Sequence, residues 1–248
     1  MISHMPHTDM KAPGLRALQR DLRAAGSPER ARVSRTYFRT GPGEYGEGDR
    51  FVGASVPALR AIARRHPDLP FRDLDRLLES PIHEKRLVAL LILTDRFRRA
   101  GAQERARLHR FYLARLSRVN NWDLVDLSAP TLVGEHLAGR EMALLMRLAR
   151  SRNLWRRRVA MVATSDAIRR GDPRPALSIA TMLLEDSHDL IHKAAGWMLR
   201  EVGKRCSVED LTGFLDRHAA TMPRTMLRYA IERLPEAERS RYLRLRPA

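Results

Sequence analysis

The sequence predicts an all-α chain: an α-solenoid of HEAT-like helical repeats, an α–α superhelix with a concave face. Three observations predict it. Ala, Leu, Arg and Glu dominate while β-branched runs are scarce. Apolar residues recur at helical spacing along the chain. A segment opening on Ser and closing on Ala repeats as Ser80–Ala89, Ser151–Ala160 and Ser187–Ala195. The closing alanines stand 71 and 35 residues apart, so the first gap is about twice the second. The missing unit falls near position 125, where Asn120-Asn-Trp-Asp-Leu-Val-Asp126 stands. A period of about 35 to 40 residues made of helix pairs marks an α-solenoid, and the absence of TPR consensus residues favours the HEAT-like kind.

Taken in order, Met1–Lys11 is polar and His-rich without an apolar signal core, so residues 1–11 read as a disordered leader and 12–248 as a single repeat domain. Helical spacing then appears in Leu15, Leu18, Leu22; in Leu74, Leu77, Leu78; in Leu144, Leu145, Leu148; and in Leu211, Phe214, Leu215. Between the first two groups, Gly41–Asp49 holds four glycines in nine residues. No Gly-Lys-Ser/Thr follows it, no strand precedes it, and its three acids repel phosphate, so it reads as a flexible linking loop rather than a phosphate cradle. Val88–Leu93 taken alone resembles a buried strand, but it sits inside a helical stretch from about Ile82 to Arg99. Breaks are predicted near Gly26-Ser-Pro28, His66-Pro67, Ser80-Pro81, Gly101, Pro130, Gly139, Gly171-Asp-Pro173, Pro223 and Pro235, leaving pieces of roughly 10 to 18 residues.

Composition narrows the function. The 248 residues carry 46 Lys+Arg against 29 Asp+Glu, a formal charge of +17. Such a field attracts polyanions, nucleic acid first and acidic membrane surface second. Only Lys11, Lys85, Lys193 and Lys204 are lysines; the other 42 basic residues are arginines, so part of the charge reflects a GC-rich genome. With 44% hydrophobic residues the chain is no disordered basic tail. One cysteine, Cys206, excludes an intrachain disulfide and a Cys-based zinc site, and is expected to be a buried helical residue in a reducing cytoplasm. No apolar run of 18 residues exists.

The candidates for chemistry lie on the repeat helices. Trp122, Trp155 and Trp197 are the only tryptophans, each placed in the first or second turn of an aligned helix. Trp122 and Asp126 are i and i+4 and share a face, with Asn120 or Asn121 as helix cap. Arg158 and Trp197 belong to the next two repeats. Aromatic, carboxylate, arginine and aromatic on a basic concave face suit a ligand with phosphates, sugars and positive charge. Against this, a tryptophan in a solenoid helix is ordinarily core packing, and Asp123 and Asp126 also favour the helix dipole. Arg156, Arg157 and Arg158 cannot all face one way, so at least one is solvated surface, and Trp155 reads as structural. His188 and His192 have zinc-pair spacing but lack the adjacent Glu and a third ligand, so no metal is expected. Arg224, Arg228, Arg239, Arg241, Arg244 and Arg246 fit a polyanion flank or a solvated face equally.

Four segments then carry a resemblance: Arg35-Thr-Tyr-Phe-Arg39, Val119–Asp126, Asn153–Arg158 and Ile191–Glu201. With them the chain resembles the AlkD-like family of DNA alkylation repair proteins, HEAT-like-repeat DNA glycosylases, over about residues 15 to 235. The resemblance implies that Asp126 is the catalytic aspartate, that Trp122 and Trp197 contact the lesion nucleotide, and that Arg158 holds the DNA backbone near it. It places Tyr37 near the same cleft and Lys193 on the same face. It implies no cofactor, and double-stranded DNA containing alkylated bases as partner, bound across the concave face; a monomer is expected because solenoids of this size are commonly monomers. The expected reaction is hydrolysis of the N-glycosidic bond of N3- or N7-alkylated purines. The chain departs from some relatives in having Asn121 where they have a second Trp, in its three consecutive arginines, and in a longer Gly-rich loop. Non-catalytic members exist, so a HEAT-like nucleic-acid-binding or scaffold protein is the alternative, with a protein-binding solenoid behind it.

Overall fold

The computed structural model describes residues 14–138 and 142–245. The leader, the break at Gly139 and Arg246 lie outside the described residues. The fold is all-α, and among the described residues the single β pairing is a lone bridge between Arg50 and Ile82. No described helix is long and apolar enough to cross a membrane. The chain divides into two compact units, the first ending at Arg96 and the second beginning at Phe97.

The first unit holds α1 (Leu15–Ala24), α2 (Pro28–Tyr37), α3 (Val56–Arg65), α4 (Phe71–Leu78) and most of α5 (His83–Arg99). Hydroxyl caps start two of these helices, Ser27 accepting from the Arg30 amide at 3.3 Å and Ser55 from the Ala58 amide at 3.4 Å. Leu87 through Leu93 are all buried, which identifies α5 as a helix surrounded on every side rather than a strand.

The Gly-rich segment is not the slack linker expected of it. Glu44 accepts from the Gly41 amide at 2.8 Å and Glu47 from the Gly43 amide at 3.0 Å, so its own acids occupy its amides. Asp49 then turns inward. It accepts from His83 Nδ1 at 2.9 Å and from Arg86 Nη2 at 2.6 Å, with its side chain 4% exposed. The His83 ring is packed by Phe51 and Phe38, both with centroids 4.9 Å away. Glycines read as flexibility in sequence are here fastened from below by a buried charge cluster.

The second unit holds α6 (Ala102–Ala114), α7 (Trp122–Ala129), α8 (Met142–Ala149), α9 (Leu154–Ala163), α10 (Ser165–Arg169), α11 (Arg174–Met182), α12 (Asp189–Arg205), α13 (Val208–His218), α14 (Arg224–Ala230) and α15 (Glu236–Arg244). The helices α7, α9, α12 and α14 pack in series as one layer, with α8, α11 and α13 packed behind. The first residues of α5, α7, α9, α12 and α14 stand 39, 32, 35 and 35 positions apart, three of the four within the predicted 35 to 40 and the α7-to-α9 step shorter. The unit opening at α14 is a further repeat that the Ser-to-Ala alignment missed. Small residues permit the close packing of the layer. A Cβ on Gly196 of α12 would lie 2.4 Å from the Met226 carbonyl oxygen of α14.

Three local expectations are corrected. Pro130 does not end its helix; α7 runs on through a π-helical turn over Pro130–Glu135. Cys206 is not buried within a helix: it is half-exposed, closes α12 at its C-terminus and donates to the Ile168 carbonyl at 3.6 Å. The breaks inside the second unit also include Leu116–Asn121, which no Gly or Pro announces.

Candidate active site

The site is built on α7, α9 and α12. Asn121 sits in extended backbone before α7, and its side chain accepts from the Trp122 amide at 2.8 Å. That cap fixes the helix start, so Trp122 and Asp126 lie one turn apart on one face, and Pro130 continues the same row. Pro130 has no N–H, so the bond an uninterrupted helix would return to the Asp126 carbonyl is missing. The ladder thus breaks at the residue singled out as catalytic, and the wide turn follows.

Asp126 and Arg158 meet directly. Arg158 Nε donates to Asp126 Oδ1 at 2.8 Å and Nη2 to Oδ2 at 2.7 Å, a bidentate fork between neighbouring helices. Arg158 Nη1 donates to the Leu190 carbonyl of α12 at 2.5 Å. The Asp126 side chain keeps 19% exposure while that of Arg158 keeps 6%. Three of the five guanidinium N–H groups are thereby engaged, so most of this arginine's bonding goes to the carboxylate and α12 rather than to solvent. Burial pushes the Asp126 carboxyl above the usual carboxylate range; the Arg158 guanidinium opposes that shift without cancelling it, and the Asp123 charge adds to it. Beneath lies a buried polar pair, Tyr112 Oη and Ser128 Oγ at 2.9 Å, with Ser128 donating to the Leu124 carbonyl at 2.6 Å. Burial raises the Tyr112 phenol, and Asp126 adds to that shift.

Trp197 is not in the first two turns of its helix. It is the ninth residue of α12, because the helix begins at Asp189 with His188 as its cap. It follows Leu190, the Arg158 acceptor, by seven positions, about 10 Å along the axis. There it lines a cleft of about 320 Å³ with Pro130, Ser165, Ile168, Arg169, Met198, Glu201 and Arg205. Arg169 and Arg205 each keep 47% side-chain exposure, and Glu201 accepts from Arg205 at 2.8 Å. Pro130 therefore connects the two features: it stands one turn beyond Asp126 and lines the cleft together with Trp197.

The remaining candidates separate. Lys193 lies four residues before Trp197 and pairs with Asp189 at 2.7 Å. Tyr37 ends α2 in the first unit, is 63% exposed, and sets its ring edgewise on Phe38 at 5.1 Å. Trp155 is buried at 7% exposure, the packing role read for it from sequence. The three arginines take three fates: Arg156 is exposed, Arg157 pairs with Asp186, and Arg158 pairs with Asp126. His188 caps α12 through Nδ1, and His192 bonds the Asp186 carbonyl. Among the described residues, no group of three or more His, Cys, Asp or Glu is arranged to hold a metal ion. Sequence reasoning missed Arg169, Glu201 and Arg205. Glu201 and Arg205 follow Trp197 at i+4 and i+8, a signal that was available, whereas Arg169 sits on the five-residue α10, which no periodicity reveals.

Fold and site together define a helical-repeat protein that presents one arginine-held carboxylate beside a tryptophan-lined, arginine-bordered cleft. The chain belongs to the DNA alkylation repair enzyme family, whose model matches residues 18–234. Among solved structures it is similar to one described as a predicted DNA alkylation repair enzyme from Enterococcus faecalis. The two are 17% identical with a TM-score of 0.65, over 85% of this chain and 97% of the other. No curated protein matches the chain. Membership supports a role in the repair of alkylation damage, with DNA as the substrate.

Proposed function

We propose that the protein is a monofunctional DNA glycosylase that hydrolyses the N-glycosidic bond of cationic N3- or N7-alkylated purines in duplex DNA and leaves an abasic site. The observation that carries this reading is the Asp126 carboxylate, held from one side by Arg158 and still open to solvent. An alkylated purine already bears positive charge, so it leaves without a general acid. Breaking the C1′–N bond sends its electron pair to the purine and leaves oxocarbenium character on the deoxyribose. A fixed carboxylate at that point stabilises the charge, as in glycoside hydrolysis. Water adds its oxygen to C1′, and its proton passes to Asp126, whose raised affinity for protons suits the task. In the proposed roles Trp122 contacts the lesion nucleotide from the same face of α7. Trp197 contacts base or sugar in the adjoining cleft, and Arg169 and Arg205 hold phosphates there. Arg158 acts through Asp126, and Lys193 and Tyr37 contact DNA. The protein works as a cytoplasmic monomer.

The test is incubation with duplex DNA carrying 7-methylguanine or 3-methyladenine, read as free base released. Release by the wild type and its loss in Asp126→Asn support the reading. Salt-sensitive duplex binding without release would instead identify a non-catalytic nucleic-acid binder.

A further inference from the structure

Two consecutive arginines of α9 reach the same stretch of chain, the turn that opens α12. Arg158 donates to the Leu190 carbonyl there. Arg157 closes its own fork on Asp186, Nε to Oδ2 at 2.5 Å and Nη2 to Oδ1 at 3.3 Å. Its Nη1 donates to the carbonyls of Ser151 and Arg152 at 3.0 and 2.9 Å. This pair is well enclosed, with side-chain exposures of 16% for Arg157 and 5% for Asp186. Asp186 also ties its own turn together. Its carboxylate accepts from the His188 amide at 2.9 Å, and its carbonyl accepts from His192 Nε2. His188 in turn accepts from the Leu190 amide at 3.1 Å. Leu190 is thus held at both ends, its amide by His188 and its carbonyl by Arg158.

A fork on a single carboxylate leaves a guanidinium free to tilt with it. A third bond from the opposite edge of the plane leaves one orientation. We propose that the Arg157–Asp186 pair is a positioning device for Asp126: it fixes the first turn of α12, the Leu190 carbonyl then fixes the Arg158 plane, and that plane sets the carboxylate. The inference rests on Asp126 being the reacting group. It goes beyond that reading by assigning Arg157, Asp186 and His188, none of which faces the cleft, a role in the rate. Displacing a reacting group by about 1 Å costs on the order of a hundredfold, so a support this close to the fork is expected to register in the chemistry.

The experiment uses the full chain with Asp186→Asn and Arg157→Lys. Three quantities are read: the single-turnover rate of 7-methylguanine release, the duplex dissociation constant, and the titration of the Asp126 carboxyl by 13C NMR. Asp186→Asn is expected to slow release about tenfold while the dissociation constant stays within about twofold. The Asp126 carboxyl is expected to titrate at higher pH than in the wild type as the fork loosens. Arg157→Lys keeps the charge but not the planar fork and is expected to fall between. A purely structural ion pair would lower the melting temperature and leave the rate and the Asp126 titration of the folded protein unchanged in both variants. That result overturns the proposal. Where Asp186→Asn melts below the assay temperature, Arg157→Lys decides. If the wild type releases no base, the glycosylase reading fails by itself, and the Asp126 titration still decides whether the pair positions the carboxylate.

Discussion

Asp49 in the first unit and Asp126 in the second are both aspartates gripped by arginine, and they differ in nearly everything that follows. Asp49 accepts from His83 and Arg86 and keeps 4% of its side chain exposed. Asp126 accepts from Arg158 and keeps 19%. Burial raises both, but at Asp49 the His83 and Arg86 contacts outweigh it and the carboxyl falls below the usual range. At Asp126 they do not, and the carboxyl stays above it. A carboxylate held by two side chains and closed off from solvent is a fastening. One held from a single side retains lone pairs for another molecule. The ion pair alone does not distinguish a structural site from a chemical one: each carboxylate accepts two hydrogen bonds, and what differs is that two side chains supply them at Asp49, one at Asp126, and that Asp126 keeps an open side.

The comparison can be broken most directly by replacing each aspartate with asparagine. Asp126→Asn is expected to slow base release by at least about a hundredfold while duplex binding persists, measured by single-turnover release and by titration of labelled DNA. Asp49→Asn is expected to do the reverse. Breaking a buried charge cluster costs about 3 kcal/mol, which lowers the melting temperature by roughly 10 °C for a chain of this size. Release per folded molecule should be unchanged. Equal effects of the two variants on release would remove the distinction.

Acid sharpens it further. Asp126 must be ionised to stabilise a cation, so release should decline with falling pH through a value above the ordinary carboxylate range near 4. Asp49 has a depressed value, so its stabilisation is complete above the unfolded-state value near 4 and is lost only as pH falls through the lower folded one. Between the two lies a window in which the chain is folded, by circular dichroism, and slow. Loss of fold and loss of activity at one pH would contradict the assignment.

A smaller effect is expected in the cleft. Trp197→Ala should weaken duplex binding by roughly fivefold to a hundredfold. Smallest, Arg169→Ala and Arg205→Ala should each reduce the slope of log affinity against log salt by about 1. An unchanged slope would move the phosphates elsewhere.

Much of this was legible in the residues. The repeat period located α9 and α12 and required a unit near position 125, and the i, i+4 spacing put Trp122 and Asp126 on one face. What the sequence could not show were contacts set by how closely helices approach. Arg158 reads in the sequence as a phosphate ligand, and its pairing with a carboxylate shows only when α9 is seen against α7, where Asp126 takes two of its donors. Trp197 was placed too early: α12 opens at Asp189, so Trp197 is its ninth residue and falls in the third turn. Asp49 was hidden inside a glycine-rich run whose composition suggested slack, and only the pairing with α5 reveals the buried cluster.

The wide turn after Asp126 has one more consequence, for how such a sequence can change. Each residue of an α-helix rotates the chain by about 100°, so the residue absorbed between Pro130 and Glu135 resets the phase of everything beyond it. Upstream, the helix keeps Trp122 and Asp126 in one row. Downstream, it turns Glu135 to Arg169 and stacks the His136 ring on His109 at 4.0 Å. The two halves are therefore indexed separately, and a gain or loss of one residue taken up at this turn can leave the carboxylate's bearing unaltered.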